Sequence, residues 1–162
     1  MKTLLITRHA KSDWADGYLT DHQRPINKRG RRAAPKVAAV LLKHGWVPEV
    51  IVTSDATRAL ETAKLLHQRL SPRGILLLNP NLYHAGFGEI QECISALSAD
   101  IQTLMLVGHN PGWEVSAGLL SGEQLSMTTC NVACLTHPAS DWSGIFQPGT
   151  WTLQTMIRPK EI

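Results

Sequence analysis

Two histidines in this chain stand immediately past apolar runs, and one of them follows an arginine. Residues 3–7, Thr-Leu-Leu-Ile-Thr, lead into Arg8-His9, and residues 103–107, Thr-Leu-Met-Leu-Val, lead into Gly108-His109-Asn110. A third run, 49–53, is followed by Arg58 in the opening turns of a helical pattern. The carboxyl ends of parallel strands are where open α/β sheets bind ligands, so the three signals converge if their strands are neighbours. A guanidinium fork grips two phosphate oxygens while an imidazole can attack phosphorus. These residue types therefore point to a preformed phosphate site.

Rival phosphate chemistries are checked by spacing. A cysteine phosphatase needs Cys-x5-Arg, but the positions six residues after Cys93, Cys130 and Cys134 hold Ala99, Thr136 and Ser140. The chain has no Gly-x4-Gly-Lys-Ser/Thr loop and no Asp-x-Asp pair. A metal site of His9, His109 and His84 is disfavoured because Arg8 and Arg58 would repel a divalent cation and attract a phosphate dianion. The expectation is chemistry with no metal and no other cofactor.

The elements that must position these residues follow from periodicity. Apolar runs at 3–7, 49–53, 75–78, 103–107, 132–135 and 151–157 show little alternation, as in strands covered on both faces. Helical patterns lie between them. The first starts after Asn27 as N-cap and carries Ala34, Val37, Ala38, Leu41 and Leu42, with Pro35 in its early turns or kinking it and Lys43-His44-Gly45 at its end. The second follows Ser54-Asp55, either of which can cap it. The third runs over roughly 87–98. The fourth begins after Asn110, with Pro111 at its first position, and carries Val115, Ala117, Leu119 and Leu120. Residues 121–150, rich in Gly, Pro, Ser and Thr, read as one strand and a long loop. Alternating strands and helices predict an α/β three-layer sandwich with a mostly parallel central sheet and helices on both faces.

With 162 residues, 43% hydrophobic and 18% charged, the chain reads as one domain over 1–162. A formal charge of +3 is too small to imply nucleic-acid binding. The cations cluster between His22 and Arg32, which reads either as a solvated face or as a rim that attracts anions. Three cysteines without a CxxC pair argue against disulfides or a zinc ribbon. Cys130 and Cys134 are expected to share one side of a strand and pack. No leader pattern and no window of 18 apolar residues is present, so no membrane span is expected and a cytoplasmic location fits.

Four segments together carry a resemblance. Thr-Arg-His-Ala at 7–10, Arg-Pro-Ile-Asn-Lys-Arg-Gly at 24–30, Thr-Ser-Asp-Ala-Thr-Arg-Ala-Leu-Glu-Thr-Ala at 53–63 and Val-Gly-His-Asn-Pro-Gly at 107–112 resemble the histidine phosphatase superfamily, most closely its short SixA-type phosphohistidine phosphatase branch, in the family order. The resemblance implies a phosphoglycerate-mutase-like fold, His9 as a nucleophile that is phosphorylated during turnover, and Arg8, Arg58 and His109 around the phosphate. The usual Arg-His-Gly reads Arg-His-Ala here, and the usual Ser-Pro reads Ser54-Asp55. No motif selects the general acid, for which His84, Glu89 and Asp13 are the candidates.

The reading that follows is a metal-independent phosphatase acting on a phosphohistidine or a phosphomonoester through phospho-His9. Its partner would be a phosphorylated protein side chain or a small phosphorylated metabolite, because the stretch from Arg58 to His109 is too short for a large lid domain. The alternatives are a phosphate-binding or regulatory module with little turnover, and a phosphoglycerate-mutase-like phosphotransferase.

Overall fold

A computed structural model describes all 162 residues. Six strands form one sheet in the order β3-β2-β4-β1-β5-β6. They are β1 (Lys2–Arg8), β2 (Val50–Thr53), β3 (Ile75–Leu78), β4 (Thr103–Gly108), β5 (Val132–His137) and β6 (Thr152–Ile157). β1, β2, β3 and β4 are mutually parallel, and β5 runs antiparallel to both its neighbours. The helices are α1 (Lys28–Lys43), α2 (Thr57–Leu70), α3 (Phe87–Ser95) and α4 (Gly112–Ser121). The mostly parallel α/β sandwich expected from the sequence is what forms.

The inner strands are buried on both faces, which is why their sequences lack alternation. Leu4 and Ile6 join Trp113, Ala117 and Ile90 in a core beneath α3 and α4, whereas Leu5, Ile51 and Met105 join Ala38, Leu41 and Leu66 beneath α1 and α2. The loop after β5 also belongs to the first core, through Trp142, Phe146 and Trp151. β3 departs from this pattern. As an edge strand its Ile75, Leu77 and Leu78 are exposed, so an apolar run there does not signify cover on both faces.

Asn27 caps α1 as expected, its side chain accepting from Gly30 N at 2.9 Å, and Lys43, His44 and Gly45 close the helix. Pro35 lies inside it. The wheel position of Leu42 was misleading, since that residue is exposed, as are Val115 and Leu119 on α4. The cap expected for α2 is absent: Ala56 occupies the N-cap with no side-chain bond, because Ser54 and Asp55 turn to other partners. α3 ends at Ser95, three residues earlier than the periodicity suggests, and Pro111 is the N-cap of α4 rather than its first residue. Cys130 lies outside β5, in a turn at φ 63°, yet it packs in the same core cluster as Cys134.

Candidate active site

β1 and β4 are paired in register, with Arg8 opposite Gly108, and β2 flanks β4 with Thr53 opposite Val107. Neighbouring strands thus deliver residues 9, 54 and 109 to one end of the sheet. His9 N donates to Gly108 O at 2.9 Å and Ser54 N to Val107 O at 3.0 Å, which ties the three chain exits together.

The ring of His9 is buried, and its Nδ1 lies 2.7 Å from Ala10 O. A carbonyl can only accept, so the proton sits on Nδ1 and Nε2 carries the lone pair. Burial foremost, helped by the Arg58, Arg8 and Arg24 charges and opposed by the Ala10 carbonyl, lowers the His9 pKa to about 4. The ring is therefore neutral near pH 7, with an unprotonated nitrogen.

Ala10 stands where the family motif has glycine. It is fully buried, its backbone is outside the left-handed region, and its N–H donates to Thr62 Oγ1 at 2.9 Å. Thr62 in turn donates to Arg58 O at 2.7 Å, which couples the loop to the first turns of α2. A methyl group at position 10 therefore costs nothing in backbone strain.

Arg58 is buried at the start of α2, and its Nε donates to His9 Nε2 at 3.3 Å. Its Nη1 donates to Asp21 O at 2.6 Å and its Nη2 to Asp21 Oδ2 at 3.0 Å. The His109 ring lies 5.1 Å from that of His9, centroid to centroid. His109 Nε2 is 2.8 Å from Ser54 Oγ, which itself accepts from Ala56 N. In the tautomer in which the Ser54 hydroxyl donates to Nε2, the ring proton sits on Nδ1, which has no protein partner. Burial first, then His9 and Arg58, pushes the His109 pKa down to about 3. Before an anion binds, His109 is therefore a neutral ring rather than a cation.

A cavity of about 500 Å³ opens beside these groups, bordered by Arg58, Asp21, Tyr83, His84, His109 and the start of α4. Gly112 belongs to this wall because a Cβ there would lie 1.9 Å from Ala85 O. The fit brings the 83–87 loop against the helix. Of the four residues selected from the sequence, His9, Arg58 and His109 come together. Arg58 and His109 border the cavity, and His9 and Arg8 lie behind that lining, Arg8 with Nη1 donating to Met127 O at 2.7 Å and a buried Nε without a protein partner. Arg8 is close enough to depress the His9 pKa.

The candidate acids separate. Glu89 is exposed and accepts from Gly86 N as part of the α3 start, and Asp13 accepts from Ala15 N in a local turn. Neither borders the cavity; His84 does, its ring tilted against that of Tyr83 with centroids 3.9 Å apart.

A residue that the sequence reading passed over stands in the site. Asp21 accepts from Arg58, from Tyr83 Oη and, through Oδ1, from Arg24 Nη2 at 2.7 Å. The Tyr83 hydroxyl foremost, with Arg24 and Arg58, holds its carboxyl far below the usual range despite some burial. Tyr83 is correspondingly raised, by burial first and then by Asp21. The Arg24 pairing is local, but nothing in the spacing around residue 21 marks it for the site, because Arg58 and Tyr83 lie 37 and 62 positions away. Ser54 was likewise read as a helix cap and is instead the partner of His109. Asp55 pairs with His22 at 2.9 Å. No three His, Cys, Asp or Glu side chains converge in a metal-binding arrangement.

Comparison with known proteins identifies the family and the fold. Residues 4–125 match the family model of the histidine phosphatase superfamily (branch 1), and the chain belongs to that family. A chloroplastic protein of Arabidopsis thaliana is 38% identical, over 98% of this chain and 78% of its own length. The structure of a candidate SixA phosphohistidine phosphatase from Nakamurella superposes with a TM-score of 0.84 at 26% identity, covering 98% and 96% of the two chains. The fold is also that of the protein histidine phosphatase SixA complexed with tungstate, with a TM-score of 0.78 at 19% identity over 98% of each chain. A mycobacterial glucosyl-3-phosphoglycerate phosphatase shares it at 0.70 and 19% identity, over 96% of this chain and 98% of that one. The family and the fold support phosphatase activity. No helix is long and apolar enough to cross a membrane.

Proposed function

We propose that residues 1–162 form one histidine phosphatase domain that hydrolyses a phosphohistidine or phosphomonoester through a phosphorylated His9, without a metal. The observation that carries this reading is the His9 ring itself. Its Nδ1–H is held by Ala10 O, and its unprotonated Nε2 lies 3.3 Å from Arg58 Nε, with the His109 ring centroid 5.1 Å from that of His9.

In the first step Nε2 attacks phosphorus, the P–N or P–O bond to the leaving group breaks, and the leaving group takes up a proton. In the second, water attacks phospho-His9, inorganic phosphate departs, and its oxygen count includes the water oxygen while Nε2 recovers its lone pair. Charge spreads over the equatorial oxygens in each transition state, where fixed donors act with little reorganisation. Arg58 supplies the principal fork. His109 Nδ1–H and the Arg8 Nε–H, neither of which has a protein partner, are the supporting donors. His84 at the cavity edge is the candidate proton donor to an alkoxide leaving group, and an imidazole leaving group needs that help least.

A phosphorylated side chain is the substrate class we favour. The stretch between Arg58 and His109 folds into α2, β3, α3 and β4, and only residues 83–87 of it border the cavity beyond Arg58 and His109. A substrate anchored to another protein then meets no covering domain. The reading is tested by quenching the enzyme during turnover of a phosphohistidine peptide and mapping acid-labile phosphate. Label on His9, and a loss of at least ~10³-fold in rate on His9→Ala, are expected on the scale of removing a nucleophile. Absence of any trapped phosphate together with near-normal turnover by His9→Ala would overturn it.

A further inference from the structure

The basic stretch of α1 forms a second anion-facing surface. Lys28, Arg29, Arg32 and Lys36, with Lys160 and Pro159 opposite them, line a groove of about 470 Å³ that contains five cations and no carboxylate. All five cationic side chains are exposed, and none has a carboxylate within salt-bridge distance. Of the nearby charges, Arg31 is paired with Glu61 and Arg158 with Glu161, outside the groove lining. The first turn of α1 also lacks any acidic residue. Concentrated like charge of this kind destabilises the folded chain slightly and attracts polyanions. Internal pairing does not account for it.

The groove opens at the same end of the sheet as His9. Gly30 packs so closely on the loop after His9 that a Cβ would lie 2.5 Å from Lys11 O. Asn27 N also donates to Lys11 O, at 2.8 Å. Across the groove, residues 159–161 follow β6, whose Ile157 is opposite Val132, which in turn is opposite Thr7 of β1. The cations and the loop after His9 therefore lie at the same end of the sheet.

We propose that this groove docks an acidic segment of the protein that carries the phosphorylated side chain, so that substrate choice is made partly by charge outside the pocket. The proposal rests on the phosphatase reading above. An acidic polypeptide matches the groove by charge and, unlike a small phosphoester, is long enough to occupy groove and pocket together. Exposed pairs of this sort act mainly on encounter and are screened by salt.

The test uses two phosphohistidine peptides, one with a run of six Asp or Glu residues beside the phosphorylated site and one with Gly and Ser in their place. For the unaltered protein the acidic peptide should show a KM about tenfold lower, the scale of a few exposed ion pairs acting together, with similar kcat. The preference should vanish in 0.5 M salt (roughly a 4 Å screening length) and in the triple variant Lys28→Glu, Arg32→Glu, Lys36→Glu. Turnover of a small phosphoramidate by that variant should stay unchanged. A Lys28→Ala, Arg32→Ala, Lys36→Ala version with an unchanged Tm guards against a folding artefact. Equal KM values for the two peptides, or a preference that survives in the alanine variant, would overturn the proposal.

Fluorescence anisotropy with the unphosphorylated acidic peptide reads docking without turnover. If wild type binds that peptide and the variant does not, while no substrate is hydrolysed, the groove stands and the phosphatase reading falls. Tighter binding of a single-stranded oligonucleotide than of the acidic peptide would reassign the groove to nucleic acid.

Discussion

Arg58 reaches His9 through Nε, 3.3 Å from the ring Nε2, while both of its Nη groups rest on Asp21. The nitrogen best placed to attack phosphorus is thus engaged by the same guanidinium that would grip the phosphoryl oxygens. On the phosphatase reading proposed above, an arriving phosphate would draw that N–H to itself and free the lone pair, which would make binding and activation of the nucleophile one event.

Arg58→Lys should therefore be far from conservative. An ammonium cannot span His9 and Asp21 at once. The loss of one preorganised donor costs ~3 kcal/mol, roughly a hundredfold in kcat/KM, and this should hold for many leaving groups alike. Vanadate inhibition should weaken in parallel, and unchanged vanadate affinity with unchanged turnover would place Arg58 outside the reaction.

Asp21 offers Arg58 an anion where the substrate's anion must act. Asp21→Asn keeps acceptors for Arg58 and Tyr83 but removes a negative charge, so phosphate and vanadate should bind more tightly by about 1 kcal/mol, roughly fivefold. Asp21→Ala also removes the support of the fork, and kcat should fall. Inhibition constants and kcat for the pair of variants, measured together, separate the two effects.

The pH dependence has a definite sign. The folded pKa values of His9 and His109, about 4 and about 3, lie below the ordinary value of 6.5. The unfolded chain therefore binds more protons between about pH 6.5 and 4, and stability falls as pH drops through that window; above it these two groups contribute no slope. Thermal unfolding from pH 7.5 to 4 should show a loss of a few kcal/mol, flattened in His109→Gln. The acid limb of kcat/KM, corrected for substrate ionisation, should lie nearer pH 4 than 6.5.

Gly112→Ala should damage both stability and the pocket wall. A Cβ 1.9 Å from Ala85 O forces α4 and the 83–87 loop apart, at ~1–3 kcal/mol for overpacking. A lower Tm with a raised KM is expected, and an unchanged Tm would show that the loop yields freely.

Much of this protein is legible in its sequence because the relevant interactions are local or periodic. Unbroken apolar runs announce β1, β2 and β4, since strands covered on both faces leave no polar side. Asn27 and Gly45 mark the ends of α1 through their own backbone chemistry. Arg8, His9, Arg58 and His109 are recognisable because each ends a strand or follows one within a few residues, and a parallel sheet gathers such exits at one end.

Other features exist only after the chain has closed. β3 reads like its neighbours, and only its edge position leaves it exposed. Ser54 has the chemistry of a helix cap, yet the adjacency of β2 and β4 places His109 within its reach. Asp21 sits in an unpatterned loop, and its partners Arg58 and Tyr83 come from α2 and from the turn before α3. Glu89 and Asp13 satisfy nearby N–H groups, whereas His84 reaches the cavity because Gly112 lets its loop approach α4. The residue types and the runs that become strands and helices are determined by sequence-local physics. Which polar side chain meets which is decided by tertiary packing, because a hydrogen bond depends on distance in space and not along the chain.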